Sequence, residues 1–250
     1  EAAQANAPLL LVAGGDGAVH QAVNALMRLE PQRRPILGVL PCGTGNDFAK
    51  MLNLPMGLED AMDALRSGRI APADAVRAGG RWLINDIGMG LLAKAAKAYY
   101  SLPQPVPAPA RYFAAALRAA AGGYKSSVRL LVDGQVRFEG AFSLLAISNG
   151  GWTGGRFHMN PNARIDDGRI DICVAKPLSR WQALKSLRPL TRGEHLALPA
   201  VETFSGAEAR VESERIEALQ IDGELYDFPA NGLDIRIEPG ALRAIYGAFA

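Results

Sequence analysis

Two glycine-rich turns constrain this chain more than anything else in it: Gly14-Gly15-Asp16-Gly17 and Pro41-Cys42-Gly43-Thr44-Gly45-Asn46-Asp47-Phe48. Each follows a short apolar run, Leu9 to Ala13 and Ile36 to Leu40, and each precedes an amphipathic stretch. That is the pattern of a buried parallel strand handing over to a helix. Glycines there leave backbone N–H groups exposed at a helix N-terminus, where unpaired donors and a partial positive charge favour phosphate oxygens. Each turn also carries an aspartate. A carboxylate beside a phosphate is repulsive unless a cation or a donor separates them, so the combination points to a nucleotide plus Mg²⁺. One such turn reads as well as a tight strand-to-helix connection with an aspartate near an N-cap; two in register favour the ligand.

At 250 residues, about half of them hydrophobic, the chain can bury a core of one large or two small domains. A net charge of +2 and the lack of a basic run argue against nucleic acid as a partner. Cys42 and Cys173 are far apart and in no metal-ligand spacing, which fits a reduced, cytoplasmic chain. No apolar stretch is long enough to cross a bilayer and no signal peptide is visible. The chain opens at Glu1 and reaches a functional-looking loop almost at once, so an upstream segment is expected to be missing.

Taken in order, Leu9 to Ala13 reads as a fully buried strand and Ala18 to Leu29 as a helix with Val19, Val23 and Leu26 on one face. Ile36 to Leu40 is a second strand, and helices follow over Asp47 to Leu52 and Leu58 to Arg66. This spacing predicts a doubly wound parallel sheet with ligands at the strands' carboxyl ends. Beyond Gly68 the pattern changes to hairpins. Arg69 to Ala78 and Arg81 to Ile87 pair across Gly79-Gly80, and a helix covers Leu91 to Tyr100. Ser101 to Pro109 contains four prolines and reads as a rigid loop before a helix over Arg111 to Ala121. The rest is short strands between turn signals (Val128 to Asp133, Val136 to Phe142, Ser143 to Ser148, Ile170 to Ala175, Ala209 to Ser213, Ala218 to Ile221, Leu233 to Ile237). That density predicts an antiparallel sandwich or barrel. Ser179 to Arg192 interrupts it as a basic amphipathic helix with Trp181, suited either to an anionic membrane surface or to packing on the sheet.

Gly88-Met89-Gly90-Leu91-Leu92-Ala93 has the form of a dinucleotide fingerprint, but no acidic residue lies about twenty positions on. Asp166-Asp167-Gly168 lacks the spacing of a calcium loop. Asp222-Gly223-Glu224 reads first as a hairpin turn. The histidines suggest no nucleophilic triad.

Taken together, these pieces resemble the diacylglycerol-kinase catalytic-domain family, which includes bacterial lipid kinases and sphingosine kinases. Gly14 to Gly17 is similar to its GGDG loop, and Pro41 with Gly43 to Ala49 to its P-x-G-T-x-N-D-F-A element. Asn85 with Gly88 and Gly90, Ser148-Asn149-Gly150, Pro161, Asp166 to Gly168 and the late Asp222-Gly223-Glu224 follow in the same order. The family usually places a threonine, a branched residue and an asparagine after the glycine loop. Here Ala18-Val19-His20 stand there, so a hydroxyl is absent and a titratable ring replaces an amide.

The resemblance implies a two-domain lipid kinase fold of class α/β plus β. It comprises a doubly wound nucleotide domain over residues 1–76, incomplete by about one N-terminal βα unit and joined by segment 239–250, and a β-sandwich lipid domain over 77–238. It further implies that Gly14, Gly15, Asp16, Gly17, Ala18, Val19, His20, Gly43, Thr44 and Asn46 line ATP. Asp16, Asp47 and Asp74 would form the acidic network around the catalytic Mg²⁺. Glu224 would be the general base acting with Asp16, and Asp167 with the carbonyls of Arg164 and Arg169 would hold a structural Mg²⁺. The reaction expected is γ-phosphoryl transfer to the hydroxyl of a lipid such as diacylglycerol, with transient peripheral contact at the membrane surface. A homodimer is an allowed assembly. The alternatives are a kinase of a soluble acceptor such as a nicotinamide nucleotide, or a binding module without turnover.

Overall fold

The computed structural model describes residues 7–103 and 108–248. Strand β1 (Leu9–Gly14) leads into helix α1 (Asp16–Leu26), then β2 (Ile36–Pro41), α2 (Asp47–Met51) and α3 (Leu58–Ser67). β1 and β2 are parallel, from Leu9 opposite Ile36 to Gly14 opposite Pro41, so both glycine turns leave the sheet side by side. Contrary to expectation, β1 is not fully buried. It is the sheet's edge, and Leu9 and Leu11 are each 44% exposed along one face. β2, flanked on both sides, is the buried strand.

β3 (Arg69–Ala78) and β4 (Arg81–Leu83) form the expected hairpin. Gly79 and Gly80 have φ of 53° and 82°, the left-handed pair that a tight hairpin turn requires. The single strand expected over Arg81 to Ile87 is instead two, because β5 (Asp86–Gly90) belongs to the other sheet. The break falls where the N–H groups of Ile84, Asn85 and Asp86 donate to the Asp222 carboxylate at 3.0, 2.9 and 3.1 Å. Helices α4 (Leu91–Ser101) and α5 (Ala108–Gly122) follow. The loop expected over Ser101 to Pro109 falls mainly on residues 104–107, outside the described residues.

Next come β6 (Ser126–Val132), β7 (Gln135–Phe142), β8 (Leu144–Ser148), the short β9 (Trp152–Thr153) and β10 (Phe157–His158), and β11 (Ile170–Ala175). Helix α6 (Arg180–Thr191) starts at a capping box in which Ser179 and Gln182 satisfy each other's backbone N–H groups. β12 (Val201–Gly206), β13 (Glu208–Glu212), β14 (Ala218–Ile221), β15 (Glu224–Asp227) and β16 (Leu233–Tyr246) complete the fold. The pattern predicts β16 only to Ile237. It continues to Tyr246 past a register shift between Glu238 and Leu242, where Gly240 has φ 59°.

The first sheet runs β1-β2-β16-β13-β6-β7, with β3 on β16 and β4 on β3; the second runs β12-β11-β8-β5-β14-β15 and is antiparallel throughout. This is the α/β plus β-sandwich architecture expected from the sequence. The sandwich core lies between the sheets, where Leu130, Val211 and Ile235 meet Leu145, Ile147 and Ile172. Alternate residues of β8 and β11, among them Leu144, Ala146 and Cys173, face the other way and are covered by α4, α6 and neighbouring loops. A separate core joins α1, α2, β2, β3 and the end of β16 through Val19, Val23, Leu37, Phe48, Ala73 and Ala244.

Candidate active site

The two glycine turns meet backbone to backbone. Cys42 N–H donates to Gly14 O at 3.1 Å, and a Cβ on Gly43 would collide with the Gly15 Cα. Only glycine fits this approach, so Gly15 and Gly43 are required by packing as well as by any ligand. Asn46 adopts a left-handed φ of 52°, accepts from Gly43 N–H at 2.9 Å and donates to Gly43 O at 3.0 Å, closing the second turn on itself.

Asp16, in the first turn of α1, accepts from Phe48 N–H at 3.1 Å and from Asn85 Nδ2 at 3.2 Å. That bond assigns the nitrogen of Asn85, and its Oδ1 is left buried without a partner. Asp47 accepts from Lys50 Nζ at 2.9 Å and from Gly155 N–H at 2.9 Å, a contact from the β-sandwich side. Burial raises the Asp47 carboxyl above the ordinary carboxylate range, and the neighbouring Asp16 charge adds to the effect.

The other side of the site is the turn between β14 and β15. Asp222 and Gly223 have φ of 47° and 89°, so the sequence reading as a tight hairpin turn is correct. Asp222 is also an anchor, because besides the three N–H groups named above its Oδ2 lies 2.8 Å from His20 Nδ1. Gln220 bridges from Asp86 Oδ2 at 2.7 Å to Gly223 N–H at 2.6 Å. Tyr100 Oη donates to Gly223 O at 3.1 Å, and Tyr226 Oη donates to Glu224 Oε2 at 2.7 Å.

One cavity of about 390 Å³ touches both sides. Its polar end is lined by Gly15, Asp16, Gly17, Thr44, Gly45, Asp47, Asn85, Asp86, Asp222 and Glu224. From there it runs between α4, α5 and α6 along Leu91, Ala95, Ala96, Tyr112, Ala116, Ala119, Ala120, Ala183 and Leu187, and reaches the outer face of the second sheet at Leu144, Cys173 and Ala175. The alanines matter by what they omit, since short side chains on the inner faces of three helices leave an apolar void. Burial pushes the Cys173 thiol up to about 12, so it lines this wall as a small apolar group.

The structure thus brings Asp16, Asp47, Thr44 and Glu224 to one cavity. Gly14, Gly43 and Asn46 shape its turns, Val19 lies in the neighbouring core, and Ala18 is exposed. His20 sits behind the cavity wall on Asp222. Asp74 is not part of this group: its carboxylate accepts from Gly168 N–H at 2.8 Å and Gly240 N–H at 2.7 Å, beside the Asp166–Gly168 turn. There Asp167 accepts from Arg169 N–H at 3.0 Å, and Arg164 pairs with Asp166 at 3.1 Å. Among the described residues no three histidine, cysteine or carboxylate side chains are gathered to cage a metal. Asp86 goes unnoticed in the sequence. It is buried at the cavity's polar end, where desolvation, then the Asp222 and Asp47 charges, push its carboxyl well above the ordinary range.

Residues 1–78 match the diacylglycerol kinase catalytic domain family, and residues 85–246 match the YegS C-terminal NAD kinase beta sandwich-like domain family. The chain belongs to the diacylglycerol kinase family. As a member, this kinase is a phosphotransferase with an alcohol acceptor. It is 28% identical over 236 residues to a diacylglycerol kinase of Staphylococcus carnosus, covering 94% of this chain and 76% of the relative. A probable lipid kinase YegS-like of Chromohalobacter salexigens is 30% identical over 247 residues, covering 90% and 72%. A diacylglycerol kinase structure from Bacillus anthracis superposes with a TM-score of 0.75 at 25% identity, covering 98% of the kinase and 79% of that chain. An NAD kinase from Archaeoglobus fulgidus in complex with ATP shares the fold alone, with a TM-score of 0.51 at 12% identity over 96% of the kinase and 78% of that chain.

Proposed function

We propose that the kinase transfers the γ-phosphoryl group of ATP, with Mg²⁺, to the hydroxyl of a lipid, diacylglycerol or a close relative. The observation that carries this reading is the continuity of the cavity: an acidic, glycine-lined end opens directly into an apolar passage between three helices. A soluble acceptor such as a nicotinamide nucleotide has no use for that passage.

In this reading residues 1–76 with 239–250 serve the nucleotide and 77–238 the acceptor. Backbone N–H groups at Gly15, Gly17 and Gly45, with the N-terminus of α1, hold the phosphates. Asp16, Asp47 and the unpartnered Oδ1 of Asn85 form a hard-oxygen set that fits Mg²⁺, a cation commonly held by one or two carboxylates and completed by phosphates and water. When bound there it would neutralise phosphate charge. The acceptor hydroxyl oxygen forms a bond to the γ-phosphorus as the bond to the β-phosphate oxygen breaks and ADP leaves. The hydroxyl proton passes to Glu224, whose Oε2 is held by Tyr226 so that Oε1 is left to receive it. We further propose that Asp167 with the carbonyls of Arg164 and Arg169 would hold a structural Mg²⁺, tested as Mg²⁺-dependent thermal stability that D167N loses.

The acceptor resides in a bilayer, and among the described residues no helix is long and apolar enough to cross one. In this reading the kinase acts from the cytoplasm and docks transiently at the membrane surface. A groove lined by Arg81, Lys94, Lys97, Lys125, Arg180 and Arg215 against Glu217 and Asp227 shares Leu178 with the apolar passage, and Trp181, 74% exposed, stands next to it in sequence. Flotation with anionic vesicles should capture the protein at low salt and release it at high salt; capture by neutral vesicles alone would remove the groove from this role. The central test is an assay with labelled ATP and Mg²⁺, offering diacylglycerol in mixed micelles in one arm and NAD in the other, with products weighed by mass spectrometry. Phosphatidic acid is expected, and a labelled dinucleotide would overturn the reading.

A further inference from the structure

The Asp222 carboxylate is fully buried between the two sides of the site. Three of its donors are the backbone N–H groups of Ile84, Asn85 and Asp86, and the fourth is the ring of His20. His20 lies one turn into α1, four residues after Asp16, and is 6% exposed. Asn24 approaches the other ring nitrogen and leaves Nδ1 to Asp222. Its two amide hydrogens serve His20 O at 2.9 Å and Trp82 O at 2.8 Å, and its 3.4 Å contact with Nε2 is at most a long, shared one. An ionised carboxylate has no hydrogen to give. Nδ1 therefore carries it, and Nε2 is open to a second proton.

We propose that His20 is a positioning residue for phosphoryl transfer: by holding Asp222 it ties the helix that begins at the phosphate turns to the turn that presents Glu224, and the tie tightens when the ring is protonated. The proposal rests on the reading of Glu224 as the group that receives the acceptor's proton. Glu224 is two residues from Asp222 in a turn stiffened by Gln220, Tyr100 and Tyr226, so a shift of the Asp222 carboxylate carries Glu224 with it. A misplacement of about 1 Å at a reacting group can cost on the order of a hundredfold in rate.

The charged groups facing the ring are Asp222 and Glu224 from the β14–β15 hairpin and Arg81 from β4, with neutral Asn24 on its own helix. The Asp222 hydrogen bond is the largest influence and raises the imidazole above its ordinary value; burial and Arg81 oppose it, and Glu224 adds to it. A raised folded value means that the charged tie is at full strength below the ordinary imidazole range, about 6.5, and is lost as pH climbs through the raised value. Above that point a neutral N–H still donates, but without the charge that strengthens the bond.

The test measures kcat and the KM for ATP against pH in wild type, H20N, H20L and E224Q, with diacylglycerol in mixed micelles, and follows the His20 ring by NMR titration in wild type and D222N. Asparagine donates but does not titrate. The ring should titrate above its ordinary value in wild type and fall back in D222N. Wild-type kcat should decline along the same alkaline limb, H20N should flatten that limb, and H20L should lower kcat about tenfold or more with KM for ATP changed by less than about twofold. An H20L enzyme with wild-type kcat, or an H20N profile that keeps the alkaline limb, overturns the proposal. H20N keeps the question answerable should H20L fail to fold. Full turnover in E224Q would remove the general-base reading itself, and the proposal with it; an inactive E224Q beside a normal H20L would remove the tie alone.

Discussion

Gly15 and Gly43 touch backbone to backbone, and the side of the site proposed for phosphate needs little beyond that contact and Asn46 to keep its shape. The acceptor side is built differently. Glu224 owes its place to Asp222, and Asp222 to His20 and the Ile84–Asp86 backbone, with Gln220, Tyr100 and Tyr226 bracing the turn. On the proposed roles, a cradle made of main chain would hold phosphate at a fixed place, whereas a base held by side chains would be moved by single substitutions. Phosphate binding should therefore tolerate many changes that turnover does not.

The sharpest break of this contrast is Glu224→Gln. Loss of a general base should lower kcat by roughly 10²- to 10⁴-fold while the dissociation constant for ATP, read by calorimetry, stays within about twofold. A variant with normal turnover would sink the base assignment. On the phosphate side Gly43→Ala should act on folding, because its Cβ meets the Gly15 backbone. The expected cost is about 1–3 kcal/mol, read as a lower denaturant midpoint, and an undiminished midpoint would mean that the turns can separate freely.

Ala119→Leu adds bulk to the apolar passage. It should lower kcat/KM for long-chain diacylglycerol by roughly tenfold, equivalent to denying it about two buried methylenes, and spare a short-chain acceptor. Equal losses on both would place the acyl chains elsewhere. The smallest effect is on pH dependence. The Asp86 carboxyl is raised on folding, so its contribution to stability is full below the unfolded value, about 3.9, and is lost as pH climbs through the folded one. Asp86→Asn cannot ionise and should flatten that decline in denaturation experiments run upward from about pH 4. An unchanged slope would show that Asp86 is not the titrating group.

The contrast also explains what could be read from the sequence. Backbone packing at Gly15 and Gly43 demands glycine at fixed places, and a strand-to-helix turn is local, so the phosphate side appears as a motif. The anchoring of Asp222 draws on residues as distant as His20, and no local pattern announces it. The apolar passage left a trace in the alanine runs of α4 and α5, but small residues on a helix look alike whether they pack closely or frame a void. β12 and β15 carry no turn-bounded apolar run strong enough to stand out, and β16 is hidden at its midpoint by Pro239 and Gly240, which normally end a strand. The exposed face of β1 depends on its position at the sheet edge, which Leu9 to Ala13 alone does not encode.

β16 has a mechanical consequence. It and β3 run alongside each other as one ribbon from Ile235 opposite Ala78 to Tyr246 opposite Arg69, passing through both cores. The ribbon behaves as a beam and not as a slack tether, and its weak point is the notch at Glu238 to Leu242. Asp74 rivets that notch, one oxygen to Gly240 and the other to Gly168. A carboxylate that the sequence places in the chemistry thus also pins the one irregular point of the longest strand pair.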